Sequence, residues 1–88
     1  MTRKELKILH FQNYGKVCWL CREKKDRRDL TLHHIEPIVF GGEDTEENTC
    51  IACTHCHFEV INKVKVRSKE YRQLMKQIED FRNTCRRN

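Results

Sequence analysis

Two periods of apolar residues run along this chain. Leu6 and Leu9, with Phe11 or Tyr14 beyond them, fall on one face of a helix. Thr2-Arg3-Lys4-Glu5 has the form of a capping box, in which the Thr2 hydroxyl and the Glu5 carboxylate satisfy free amides at a helix start. Gly15 can supply a left-handed residue to end it, so a first helix is predicted over 2–14. Near the other end Tyr71, Leu74, Met75, Ile78 and Phe81 recur at helical spacing, behind Ser68 as cap and Glu70 in the first turn, which predicts a helix over 68–84. That stripe of Met and aromatic side chains reads as core, not as a cofactor site.

Between the helices the period shortens. Leu30 to Ile35 reads as a strand limited by Pro37, which cannot donate to a ladder, and Asn48 to Ala52 reads as a second short strand. Gly41-Gly42 with Glu43, Asp44, Glu46 and Glu47 forms the loop between them. From Thr54, taken as a cap, the pattern turns helical, with Phe58, Ile61 and Val64 or Lys65 on one face. Arg22 to Asp29 has no apolar period and reads as a solvated turn. Short strands between helices give an α+β class, and without a repeat or a composition break the 88 residues are read as one domain, 1–88.

Composition adds a constraint. Only 38% of residues are hydrophobic and 35% are charged, so little apolar area can be buried and a chain this short needs a staple. Six cysteines are the candidates. The segment from Met1 to His10 is charged and has no apolar core of signal-peptide length, and no run approaches a membrane span. A reducing cytoplasm is therefore the expected compartment, where closely paired cysteines hold a metal more often than each other.

Cys18-x-x-Cys21 and Cys53-x-x-Cys56 can close a tetrahedral structural Zn²⁺ site, with redox dithiols or disulfides as the competing reading. The 31 residues between Cys21 and Cys53 exceed the ~15–20 of a simple zinc ribbon, so the strands and the Gly-rich loop are an insert between two knuckles. Cys50 and Cys85 have no partner at ligand spacing; Cys50 reads as a small buried hydrophobe and Cys85 as an incidental thiol. His10 and His55 read as structural or solvent-facing.

The order His33-His34-Ile35-Glu36-Pro37, Gly41-Gly42, Asn48 and Cys53-x-x-Cys56-His57 resembles the HNH endonuclease family. His34 lies 14 positions before Asn48 and 23 before His57, intervals that members of that family use. The resemblance covers about Cys18 to Asn62 and leaves out both flanking helices. It implies a treble-clef-like ββα-metal domain of the kind met in phage, mobile-element or restriction contexts.

Phosphodiester hydrolysis needs a water deprotonated near neutral pH, charge neutralisation on the phosphorus oxygens, and help for the leaving oxygen. Histidine, with an unperturbed pKa of ~6.5, suits the first task and a divalent ion the other two. By analogy with the family, His34 is the general base, His33 and His57 hold the catalytic ion, and Asn48 braces the loop and orients the base. Adjacent strand residues point to opposite faces, so the assignment between His33 and His34 rests on motif position alone. Many members carry an acidic residue where this chain has His33. Two imidazoles make a softer site, which favours Mn²⁺, Ni²⁺ or Co²⁺ over Mg²⁺. A competing reading places His33 or His57 in the zinc site instead of a cysteine.

Lys and Arg total 18 against 13 Asp and Glu, a net charge of +5 that suits a polyanion. The basic residues fall in three groups: Arg22, Lys24, Lys25, Arg27 and Arg28; Lys63, Lys65 and Arg67; and Arg82, Arg86 and Arg87. Each group is either a phosphate contact or only a solvated face. No recognition helix or aromatic platform stands out, so low sequence specificity is expected. The functional expectation is a metal-dependent DNA endonuclease, monomeric or weakly dimeric or part of a larger complex, leaving 5′-phosphate and 3′-hydroxyl ends. The alternatives are a non-catalytic zinc module that binds DNA or protein, and a nuclease acting on RNA.

Overall fold

The computed structural model describes residues 1–85. Helix α1 (Arg3–Tyr14) opens on the expected capping box: the Glu5 amide donates to the Thr2 hydroxyl and the Thr2 amide to the Glu5 carboxylate. It buries Leu6, His10 and Tyr14, while Leu9 and Phe11 are only partly covered. A histidine in that stripe is tolerated because its polar edge is satisfied. His10 Nε2 lies 2.9 Å from Thr49 Oγ1, whose own proton goes to the Thr45 carbonyl at 2.7 Å, so His10 is the donor. Gly15 ends the helix with its amide on the Phe11 carbonyl and takes the positive φ, 81°, expected of a glycine there, although its ψ of 175° lies outside the left-handed helical well.

Strands β1 (Leu30–His34) and β2 (Thr49–Cys53) pair antiparallel, from Leu30 opposite Cys53 to His34 opposite Thr49. β1 stops one residue before the expected Ile35, whose amide still reaches the Asn48 carbonyl at 2.7 Å. Every residue of β2 is buried, because helices and the first cysteine turn cover both faces of the ribbon. That turn is a tight loop in which Val17 bridges Lys24 and the Trp19 amide donates to the Ile51 carbonyl, locking it to β2. The charged stretch beyond it is exposed, as expected, with a 3-10 turn at Arg27–Asp29.

Helix α2 (Thr54–Glu59) follows β2 without a loop. Its cap is Cys53, whose sulfur accepts from the Cys56 amide; Thr54, expected in that role, instead donates its hydroxyl to the Asp29 carbonyl. The expected common face of Phe58 and Ile61 is also corrected. α2 ends at Glu59 and a 3-10 turn at Ile61–Lys63 re-aims the chain, leaving Phe58 53% exposed and Ile61 1%. Helix α3 (Lys69–Cys85) is capped by Ser68, whose hydroxyl accepts from the Tyr71 amide. It lays Tyr71, Met75, Ile78 and Phe81 against Trp19, Leu30, Cys50 and Ile51 in one core. Cys50 is thus the small buried hydrophobe expected, and Cys85 is half-buried with its thiol near the Tyr14 carbonyl.

Burial, reinforced by the Arg82 cation and opposed by Glu46, pushes the His10 pKa down to about 4. The folded state therefore holds His10 neutral while the unfolded chain protonates it near ~6.5. Its contribution is complete above that value and is lost as pH falls through about 4. The unfolding free energy of the wild type, from urea titration, is expected to drop between pH 6.5 and 4 by about 3 kcal/mol more than that of His10→Gln. Parallel pH profiles for the two proteins would refute this.

Candidate metal centre and histidine site

Cys18 and Cys21 flank the tight turn after α1, Cys53 ends β2, and Cys56 lies one turn into α2. The packing of Trp19 on β2 brings the two pairs together, and all four sulfurs lie within 4.8 Å of one another. Cys21 and Cys53 are 4.0 Å apart. A tetrahedral ion with ~2.3 Å bonds to sulfur separates its ligands by about 3.8 Å, so the cluster fits a zinc site. Among the described residues it contains no histidine, so neither His33 nor His57 substitutes for a cysteine. Burial raises the Cys18 thiol, but the amides of Cys53, Cys21 and Leu20 outweigh it and hold the net pKa below the usual thiol range. Cys56 is pushed up by burial and by its neighbouring thiols, so four thiolates at this spacing need a cation among them.

Thr31 and His33 share one face of β1, the face that α2 and α3 cover. There the His33 ring meets His57 edge-on, centroids 5.1 Å apart, and its Nε2 lies 2.9 Å from the Tyr71 hydroxyl. His57, in α2, places Nδ1 2.8 Å from the Thr31 hydroxyl and stacks on exposed Phe58. Burial, helped by the charges of His57 and His34, lowers the His33 pKa to about 4, and burial lowers that of His57. Both are neutral imidazoles at pH 7, the form that binds metals. His33 Nδ1 and His57 Nε2 carry no hydrogen bond among the described residues, and neither is a sealed, unpartnered atom. These two nitrogens are candidate ligands for a divalent ion, since a neutral imidazole nitrogen without a hydrogen bond is the donor such ions take.

His34 points away from this pair, to the other face of the ribbon's end, where its Nε2 is 2.6 Å from Asp44 Oδ1. The His34 hydrogen bond holds the Asp44 carboxyl below the usual range, and Arg3 from α1 lies 3.4 Å from the same oxygen. An ionised carboxylate only accepts, so His34 donates from Nε2, and in a neutral ring that leaves the lone pair on Nδ1. Asn48 closes the loop between the strands. Its Oδ1 accepts from the Glu36 amide and its Nδ2 donates to the carbonyls of Glu36 and Glu43, at 2.9–3.1 Å. Gly42 passes so close that a Cβ there would sit 1.8 Å from the Glu36 carbonyl oxygen.

The family model described as HNH endonuclease matches residues 18–62, just over half of the chain. The chain belongs to the HNH endonuclease family. Comparison with curated proteins returned no match. Membership points to nuclease-type or DNA-binding function, and the matched segment spans all four cysteines, His33, His34, Asn48 and His57. Among the described residues of this HNH protein no helix is long and apolar enough to cross a membrane.

The basic groups divide. Lys25, Arg28, Lys63 and Arg67 are paired with Glu23, Asp26, Glu59 and Glu36, while Arg22 lies over the Phe81 ring. Lys24, Arg27 and Lys65 are exposed with no ion pair among the described residues. Arg82 is turned inward onto the carbonyls of Glu46 and Thr49, and Arg86 and Arg87 lie outside the described residues. His55 is exposed, as expected. The sequence reading missed Thr31, Asp44 and Tyr71. Thr31 is legible in principle, two residues before His33 on the same strand face; Tyr71 lies 38 positions away and by its spacing reads only as core.

Purified protein is expected to carry one zinc per chain. Chelation, or Cys56→Ser, should abolish the cooperative unfolding transition followed by circular dichroism, because the ion's binding free energy is folding free energy. Retention of a sharp transition after complete zinc removal would show that the core suffices alone.

Proposed function

We propose that this HNH protein is a metal-dependent endonuclease that hydrolyses phosphodiester bonds in DNA, with His34 as general base, His33 and His57 as ligands of one divalent ion, and Asn48 as the brace of the loop. The observation that carries this reading is the edge-on pair of His33 and His57, each with one ring nitrogen that carries no hydrogen bond among the described residues, next in sequence to His34, whose ring a carboxylate holds on the other face of the ribbon. A module that only binds DNA has no use for two such lone pairs.

In the proposed reaction the Nδ1 lone pair of His34 takes a proton from a water molecule. The water oxygen attacks phosphorus in line with the bond to the 3′ oxygen. That bond breaks, the 3′ oxygen takes up a proton from solvent water to become a hydroxyl, His34 returns its proton to solvent, and the phosphate stays on the 5′ end. The ion, when bound, neutralises developing charge on the phosphate and the leaving oxygen. Asp44 accepts the Nε2 proton of His34, fixes the reactive tautomer and steadies the imidazolium once formed. Asn48 holds Glu36 and Glu43, and through them the loop carrying Asp44. His33 and His57 would hold the ion, and two nitrogen ligands would favour Mn²⁺, Ni²⁺ or Co²⁺ over Mg²⁺. Exposed Lys24, Arg27 and Lys65 supply phosphate contacts without base readout, consistent with low sequence specificity.

The test is cleavage of supercoiled plasmid, and of RNA alongside, in EDTA, Mg²⁺, Mn²⁺ and Ni²⁺. Wild type is expected to nick or linearise DNA only with a divalent ion and faster with Mn²⁺ or Ni²⁺ than with Mg²⁺. His34→Ala should lower the rate at least about 100-fold while leaving zinc content and DNA binding intact. No cleavage with any ion by folded, zinc-loaded protein would favour the binding module, and cleavage of RNA alone would reassign the substrate.

A further inference from the structure

Tyr71 belongs to α3, outside the segment the HNH family model matches, yet its hydroxyl is the only partner of His33 Nε2 among the described residues. The same oxygen lies 2.7 Å from the Ile35 carbonyl. A carbonyl accepts and never donates, so the single phenolic proton goes to Ile35 and the His33 contact requires a proton on Nε2. A phenol keeps that proton at neutral pH. Thr31 repeats the arrangement. Its hydroxyl donates to the Ala52 carbonyl at 2.9 Å, so the contact with His57 requires a proton on Nδ1.

We propose that Tyr71 and Thr31 are positioning residues that fix opposite tautomers in the two metal-binding histidines, so that His33 presents Nδ1 and His57 presents Nε2 to the ion. A neutral imidazole has one lone pair, and each of these hydroxyls consumes the proton on the nitrogen that must not face the ion. Without the hydroxyl the ring can rotate or exchange its proton, and the ion-facing nitrogen is then protonated in part of the population. The inference rests on the nuclease reading only in taking His33 and His57 as ligands.

His10 provides an internal control, since Thr49 holds its Nε2 proton in the same way but no second histidine faces it. Three proteins are compared: wild type, Tyr71→Phe and Thr49→Val, each checked for zinc content and urea midpoint. Long-range ¹H–¹⁵N spectra of zinc-loaded protein without added ion read the tautomers, and calorimetric titration with Ni²⁺ reads the affinity of the histidine site. Wild type is expected to show His33 protonated on Nε2 and His57 on Nδ1. Tyr71→Phe should show a mixed His33 tautomer and Ni²⁺ affinity lowered roughly 10- to 100-fold. Thr49→Val should lose stability with Ni²⁺ affinity unchanged. A wild-type His33 protonated on Nδ1, absence of Ni²⁺ binding, or an unchanged tautomer and affinity in Tyr71→Phe would each overturn the proposal. The predicted tautomers and affinities in a protein that cuts no DNA would uphold it and refute the nuclease reading instead.

Discussion

Four sulfur atoms that repel one another when ionised, and that stay together only around a cation, set the geometry of everything else in this molecule. The two pairs belong to segments separated by the whole ribbon, and closing that distance fixes where the ribbon ends. Cys53 is at once the last residue of β2, a member of the cluster and the cap of α2. The helix therefore leaves the strand at an angle dictated by sulfur positions, and His57, one residue past Cys56, inherits that angle. A chain with so few apolar residues could not fix such a corner by packing alone.

The second recurring device is the buried or half-buried histidine held by a hydroxyl that donates its own hydrogen bond to a backbone carbonyl. It occurs at His10, His33 and His57, with Thr49, Tyr71 and Thr31 as the intermediaries. Burying an imidazole costs free energy unless its N–H is satisfied, and a hydroxyl already committed to a carbonyl can only accept. The direction of each bond thus follows from counting protons. His10 differs in lying against Arg82, a cation that suits a neutral ring and no ion.

The strands, the capped terminal helices, the cysteine pairing and the HNH order could all be read from spacing, because each depends on neighbours within a turn or a strand. The capping box at Thr2 and the core stripe from Tyr71 to Phe81 are of this kind. Legibility failed where a partner comes from another element. Thr54 lost the cap to Cys53 because the sulfur is held in place by the other three cysteines. Phe58 left the core because α2 stops after six residues, a length set by the packing of Ile61 and not by helical preference. Tyr71 looked like core because its ring is; only the ribbon's position shows that its hydroxyl meets His33. Asp44 was one carboxylate among several in an acidic loop until the fold placed it on His34.

The loop between the strands is cinched at its neck. Asn48 clasps Glu36 and Glu43 from one side, Gly42 packs against the Glu36 carbonyl from the other, and Ile35 is tied to the Asn48 backbone. The segment between, Ile38 to Phe40, projects outward, with Val39 86% exposed. Because closure entropy rises only slowly with loop length, this projection can grow at small cost while the neck holds its two ends. It is where evolution, or an engineer, could lengthen or replace the chain to alter what the surface contacts while the chemistry below stays in register.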